Sequence, residues 1–175
     1  MNLSSLIEHW RTEVSNKKKN GSWIGLITNI LKRTRKHNNL RYLFMFRLAQ
    51  YFYSGNRFAR AYAKRLERKL NLKYGVDISI NAQIGPGFRI GHLPGVVITG
   101  YVKIGRNFFI RQNTTIGIKT LGLDNYDLVI GDNVSVGAHS CIIADTLMIG
   151  DDVTIGAMSF VNKNIEQGVT FYNAR

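Results

Sequence analysis

One cysteine, two prolines, 11 acidic residues and no apolar run of bilayer length bound what this chain can be. The lone Cys141 excludes an internal disulfide and fits a reducing compartment. It stands beside Ile142, where a small apolar residue is expected to pack into a core. The longest apolar stretch, "LRYLFMFRLAQYFY" (residues 40–53), is too short for a membrane span and contains Arg41 and Arg47. The opening "MNLSSLIEHW" lacks the basic and apolar regions of a secretory leader, so a cytoplasmic location is expected. No spacing of Cys, His and carboxylates suggests a metal site. Acids are scarce and also unevenly placed. Residues 1–74 hold 17 of the 24 Lys and Arg but only 3 of the 11 acids, while residues 75–175 hold 7 and 8. The formal charge of +13 therefore belongs to the front of the chain.

What is present is a core's worth of apolar residues, 45% of the chain, and in the back half they keep time. Ile78, Ile84 and Ile90 step by six, as do Ile98, Ile104, Ile110 and Ile116, and then Ile130, Val136 and Ile142. A one-residue slip follows, giving Ile143, Ile149, Ile155 and Val161. A glycine follows the aliphatic residue at eight of these positions. A period of six suits neither an amphipathic helix nor a hairpin meander. It suits short flat strands that each turn one side chain inward, with the small residue expected to let the backbone bend. Three such faces close a coil of about 18 residues, and stacked coils make a parallel β-helix. The expected architecture is thus mainly β: a β-helix over residues 75–175 behind an α-helical region over residues 1–74.

The beat resembles the hexapeptide-repeat acyltransferases, whose fold is a left-handed β-helix and whose usual assembly is a homotrimer. "YGVDISINAQIGPGFRIGHLPGVVI" is similar in particular to the serine acetyltransferase branch, with an aspartate before the first coil and a His-x-x-Gly element leading into Val-Val-Ile. The resemblance runs from about Tyr74 to the C-terminus, where "FYNAR" is a degraded form of a family tail motif.

His92 lies where the beat opens from six to eight residues, between Ile90 and Ile98, beside Gly91, Pro94 and Gly95. A lone loop histidine is ordinarily a solvated residue. Asp77 precedes it by fifteen residues, three short of one coil, which places the two near one corner on neighbouring levels, about 4.8 Å apart. Asp77 is then either a turn-capping residue or the orienting carboxylate of a His base. The resemblance implies the second reading, with His92 activating a hydroxyl against the thioester of acetyl-CoA.

The beat breaks again at "GIKTLGLDNYDLV", an excursion expected to wall one side of a cleft. The resembling family carries a second active-site histidine at the position of Asp127 and an aspartate at that of Gly91. Asp127, Tyr126 and His139 are the substrate-side candidates. By resemblance, Gly117, Ala138 and Ala157 are where small residues admit the pantetheine of CoA. Separately, Arg175 is a candidate partner for a CoA phosphate.

Residues 1–74 read as four helical segments: "LSSLIEHWRTEV", "SWIGLITNILKRTRK" with a basic last turn, "NLRYLFMFRLAQYFYSG" and "RFARAYAKRLERKLNLKYG". His9 and His37 are expected on their surface. Their charge admits a solvated face, attraction to an anionic membrane or an acidic glycan. No nucleic-acid-binding motif is present. Because this basic, aromatic-rich region resembles relatives of surface-polysaccharide synthesis, and because Gly91 and Asp127 depart from the serine pattern, the sequence leads to an acetyl-CoA-dependent O-acetyltransferase. It would act on a sugar hydroxyl of a capsular, exopolysaccharide or lipopolysaccharide acceptor, at the inner face of the membrane. Serine O-acetylation in cysteine biosynthesis and a non-catalytic membrane-recruited scaffold are the alternatives.

Overall fold

The computed structural model describes residues 1–15 and 22–173. The chain divides into two compact units, Met1–Tyr74 and Gly75–Arg175.

The first unit is helical. Helix α1 (Leu3–His9) starts at Asn2, whose side-chain oxygen accepts from the Ser5 N–H at 2.9 Å, and runs on as a π-helical turn, Trp10–Ser15. Helix α2 (Trp23–Lys36) is capped by Ser22, and α3 (Asn38–Tyr53) and α4 (Arg57–Tyr74) follow. Tyr42, Leu43, Phe46 and Ala49 of α3 are buried against Leu6, Val14, Leu26, Ile30, Ala63, Leu66 and Leu70 of the other segments. Each fully buried Leu, Ile, Val or Phe among them contributes about 1.5–3 kcal/mol. Among the described residues no helix is long and apolar enough to cross a membrane. Trp23, Ile24, Ile27 and Leu31 nevertheless form an exposed apolar stripe on α2, followed by exposed Lys32, Arg35 and Lys36.

His9 is not on the surface, contrary to expectation. It is 6% exposed, and its Nδ1 lies 3.0 Å from the buried Glu13 Oε1. Arg47, fully buried, donates to both Glu13 oxygens at 2.9 and 2.7 Å and to Gln50 at 2.8 Å. Leu6, His9 and Glu13 share the inward face of the segment, so the ring is carried inside where a carboxylate receives it. Burial raises the Glu13 carboxyl, but the Arg47 charge and the hydrogen bonds from His9 and Arg47 outweigh it and hold the pKa below the ordinary value. His37 is exposed, as expected.

The second unit is a three-sided, left-handed parallel β-helix. The first face is built from Asp77–Ile78, Val97–Ile98, Thr115–Gly117, Cys141–Ile143 and Phe160–Val161. The second comprises Gln83–Ile84, Val102–Ile104, Asp127–Ile130 and Thr146–Ile149. The third comprises Arg89–Ile90, Phe109–Ile110, Ser135–Val136, Thr154–Ile155 and Thr170–Phe171. The beat residues stack in three inward columns: Ile78, Ile98, Ile116, Ile142 and Val161; Ile84, Ile104, Ile130 and Ile149; Ile90, Ile110, Val136 and Ile155, all buried.

Three details differ from the sequence reading. Ile142 is the inward residue and Ile143 is half-buried, so the slip is absorbed at Ala144–Asp145, beyond the strand. Cys141 precedes the inward Ile142 and therefore faces outward, half-buried rather than in the core. The glycines after the beat serve stacking more than bending. A Cβ on Gly137 would lie 2.4 Å from the Ala157 nitrogen, and one on Gly85 would lie 2.6 Å from the Gly105 oxygen, with neither backbone left-handed. The bends fall elsewhere. The corner from the third face to the first turns through Gly75, Gly95, Asn113, His139 and Met158, all with positive φ. Apart from Met158, these are residue types that tolerate that region.

Candidate active site

His92 is on the loop 91–96, at the corner from the third face to the first. The loop is pinned from both sides. Below it, Gly95 N–H donates to Gly75 O at 2.7 Å and Asp77 N–H donates to Val96 O at 2.8 Å. Above it, Asn113 N–H donates to Pro94 O at 3.0 Å. Leu93 and Val96 are buried, so the loop is plugged into the core and His92 is left exposed. Asp77 is the outward residue of its strand, with Ile78 inward, and registers against Val97. The first coil is longer than the second by the two residues of the histidine loop. The structure thus brings the segment carrying Asp77 against the segment carrying His92.

The same corner carries Arg111–Asn113 one coil up, then Ala138 and His139, then Ala157 and Met158. His139 is exposed, and its Nε2 lies 3.4 Å from Asn113 Nδ2. It stands two coils above the His92 loop, on the same column. Gln112 Oε1 at this corner is buried without a hydrogen-bond partner.

Gly117, Tyr126 and Asp127 lie elsewhere. They belong to the corner from the first face to the second, at the far edge of the first face from His92. One chain therefore does not gather all the candidates. The three residues expected to admit CoA fall on two corners, Ala138 and Ala157 with His92, and Gly117 with the excursion. The excursion is well built. Asp145 accepts from the Lys119 and Thr120 N–H groups at 2.9 and 2.8 Å. The Tyr126 hydroxyl donates to Thr120 O at 2.9 Å and accepts from Leu123 N–H at 3.1 Å, while its ring packs at a tilt against Tyr101 with centroids 4.4 Å apart. Tyr126 is thus a pillar of the loop, and Asp127 is exposed at the start of the next strand. Arg175 lies outside the described residues. Among the described residues no three His, Cys, Asp or Glu side chains gather as a metal site would need.

Hydrogen bonds from Thr120, with a smaller contribution from Lys119, hold the Asp145 carboxyl below the usual aspartate value. A lowered pKa means that the anchor is complete at and above the ordinary aspartate range and is lost only as pH falls through the lowered value. Asp145→Ala is expected to accelerate amide hydrogen exchange at Lys119 and Thr120 at neutral pH while leaving Ile130 and Ile149 protected. Unchanged exchange at the loop would mean that Tyr126 holds it alone.

Sequence reasoning missed a group beside Gly91, the residue before His92. Phe109 projects from the third face with Arg89 and Arg111 on its ring, each guanidinium carbon 5.2 Å from the centroid. The available signal was that residues flanking an inward beat position point outward, as Arg89, Phe109 and Arg111 flank Ile90 and Ile110. A Cβ on Gly91 would lie 3.4 Å from the Phe109 ring and 3.8 Å from Arg111 Cγ, so the space over Gly91 is bounded by this group.

No family model matches the chain. It is 32% identical over 99 residues to the chloroplastic serine acetyltransferase 1 of Arabidopsis thaliana, an overlap of 57% of this chain and 31% of that protein. It is 34% identical over 86 residues to a probable serine acetyltransferase 1 of Oryza sativa subsp. japonica, 49% of this chain and 28% of that one. The chain thus spans about a third of the length of the curated relatives it matches. Among solved structures it is similar to soybean serine acetyltransferase complexed with serine (TM-score 0.74, 24% identity, 98% of this chain and 66% of that one). It is also similar to the serine acetyltransferase of Neisseria gonorrhoeae in complex with serine (TM-score 0.73, 22% identity, 98% and 66%). The fold is that of the hexapeptide-repeat acyltransferases. These findings overturn the expectation of a polysaccharide acceptor, since the relatives and the structural neighbours are serine acetyltransferases. That expectation leaned on the basic, aromatic-rich front region and on two single positions, Gly91 and Asp127. The wider likeness runs the other way, and the place over Gly91 is bounded from the next coil by Phe109 and Arg111.

Proposed function

We propose that this chain is an acetyl-CoA-dependent O-acetyltransferase whose acceptor is the hydroxyl of serine or a closely similar small amino acid. The observation that carries the reading is His92, exposed on a loop pinned to the segment that bears Asp77. The serine acetyltransferase relatives supply the acyl donor and the acceptor class.

A hydroxyl is a weak nucleophile at neutral pH. His92 takes its proton as the oxygen attacks the thioester carbonyl, then gives that proton to the departing CoA thiolate. A C–O bond forms, a C–S bond breaks, and the products are the O-acetyl ester and free CoA. Asp77 accepts a hydrogen bond from the other ring nitrogen, fixing the tautomer that leaves an acceptor facing the substrate. CoA lies along the corner past Ala138 and Ala157, where side chains are small. Gly117 and Asp127, on the other corner, reach this site from a neighbouring copy in a homotrimer.

The test is release of CoA from acetyl-CoA by the full chain, with free serine as acceptor and serinol and threonine as comparisons. Turnover that needs serine supports the reading. Acetyl-CoA that binds but is never discharged to any of the three acceptors would sink it.

A further inference from the structure

Helix α2 carries two apolar faces, and the helical unit uses only one of them. Leu26, Ile30 and Thr34 are buried where α2 packs on α3 and the π-helical turn. Trp23, Ile27 and Leu31 follow one another at steps of four, with Ile24 beside them, so they share a second face. All four are between 48% and 77% exposed. Single exposed apolar residues are ordinary, but a contiguous stripe marks a contact surface. The polar neighbour of the stripe, Thr28, donates its hydroxyl to Ile24 O at 2.9 Å, so it can leave water without losing its partner. Exposed Lys32, Arg35 and Lys36 close the stripe, and among the described residues none of the three meets a carboxylate. No acidic residue lies between Glu13 and Glu67, and Glu13 is buried against Arg47.

We propose that this face of α2 docks on an anionic phospholipid bilayer, with the helix lying among the headgroups in the plane of the membrane. Residues 23–31 extend about 13 Å along the helix axis, too short to span and enough to seat in the interface. Trp23 suits the headgroup boundary, and the isoleucines and Leu31 suit the acyl chains beneath it. The stems of Lys32, Arg35 and Lys36 cover apolar surface while their charged ends reach lipid phosphates. Charge decides between the occupants. A second copy of this chain brings the same front region, with 17 Lys and Arg against 3 acids over residues 1–74, and like charges repel. A bilayer containing acidic lipid offers an apolar interior and the opposite charge together. One short stripe with a few cations makes a weak, reversible anchor.

The experiment sediments the full chain with vesicles of equal parts phosphatidylglycerol and phosphatidylcholine, and with vesicles of phosphatidylcholine alone. Wild type should bind the first and leave the second. Tryptophan emission should move to the blue on binding, and Trp23→Phe should bind while losing that shift. Ile24→Ser/Ile27→Ser should weaken binding by about 10- to 100-fold, because it removes half of the stripe. Lys32→Gln/Arg35→Gln/Lys36→Gln should weaken it by about 100-fold at low salt, and added salt should weaken wild type in the same direction. The altered side chains are exposed, so unfolding temperatures should match wild type. His92→Ala should bind vesicles as wild type does, which separates this surface from the proposed acetyl transfer. Wild type that binds neither vesicle overturns the proposal. Binding that survives both sets of changes also overturns it and moves the contact to other cations of the unit. Equal binding to phosphatidylcholine alone overturns the requirement for acidic lipid. Self-association without lipid that Ile24→Ser/Ile27→Ser abolishes, read by sedimentation velocity, reassigns the stripe to a second copy.

Discussion

Replacing His92 with alanine is expected to lower kcat for serine-dependent CoA release by about 10²–10⁴-fold, the range in which a positioned general base contributes. The fold should be unaffected. His92 is exposed, while Leu93 and Val96 plug the loop into the core and the pinning hydrogen bonds come from backbone groups. An unchanged unfolding temperature is therefore part of the prediction, and acetyl-CoA should still bind. Asp77→Asn should lose activity without losing the fold, because an amide is a poorer partner for an imidazolium. The carboxylate itself makes no demand on the inward column, which is Ile78's. Full activity in His92→Ala would return His92 to the status of a solvated loop residue. Full activity in Asp77→Asn alone would leave the base in place and remove its partner.

The second large effect concerns stability. Arg47→Leu is expected to destabilise the helical unit by about 3–5 kcal/mol, because it strands a buried carboxylate. Native domains have margins of about 5–15 kcal/mol, so this is a large fraction of what holds the unit together. Denaturant unfolding followed by far-ultraviolet circular dichroism reads it directly. The double change Glu13→Leu/Arg47→Leu should be less damaging than Arg47→Leu alone, since it removes both charges. If the two are equally unstable, the loss comes from packing and not from the pair. The pH dependence has a definite sign. The Glu13 carboxyl titrates below its ordinary value in the folded chain, so its contribution is whole above that ordinary value and is lost as pH falls through the lowered one. The contribution of Glu13 to the helical unit should thus be lost only on the acid side.

Much of this molecule was legible before any coordinate, for a physical reason. Each inward position of a β-helix recurs within one hexapeptide, so local spacing alone reports the core, and Ile84, Ile90, Ile104 and Ile110 are buried as their spacing required. The loop at His92 was legible because it interrupts that spacing. The helices of the front half were legible from caps and apolar periodicity, with Ser22 capping α2 and Gly75 ending α4.

What depends on contact between coils was not legible. Spacing cannot say which corner an excursion leaves from. The sequence assigned Gly117 and Asp127 to an excursion walling the cleft without saying which edge it leaves, and within one chain the tertiary structure puts them at the edge of the first face away from His92. Nor does composition tell a histidine in water from one on a buried carboxylate. His9 is inside because Glu13 and Arg47, 34 residues apart, meet there. Cys141 faces outward because Ile142, one residue on, takes the inward column. Phe109 gathers Arg89 and Arg111 only once one coil lies upon the next. The sequence by itself determined the β-helix, the helical region before it and the residue at the break that presents the base. The tertiary structure alone decided what stands beside that base, because residues a full coil apart become neighbours only through the stacking of strands.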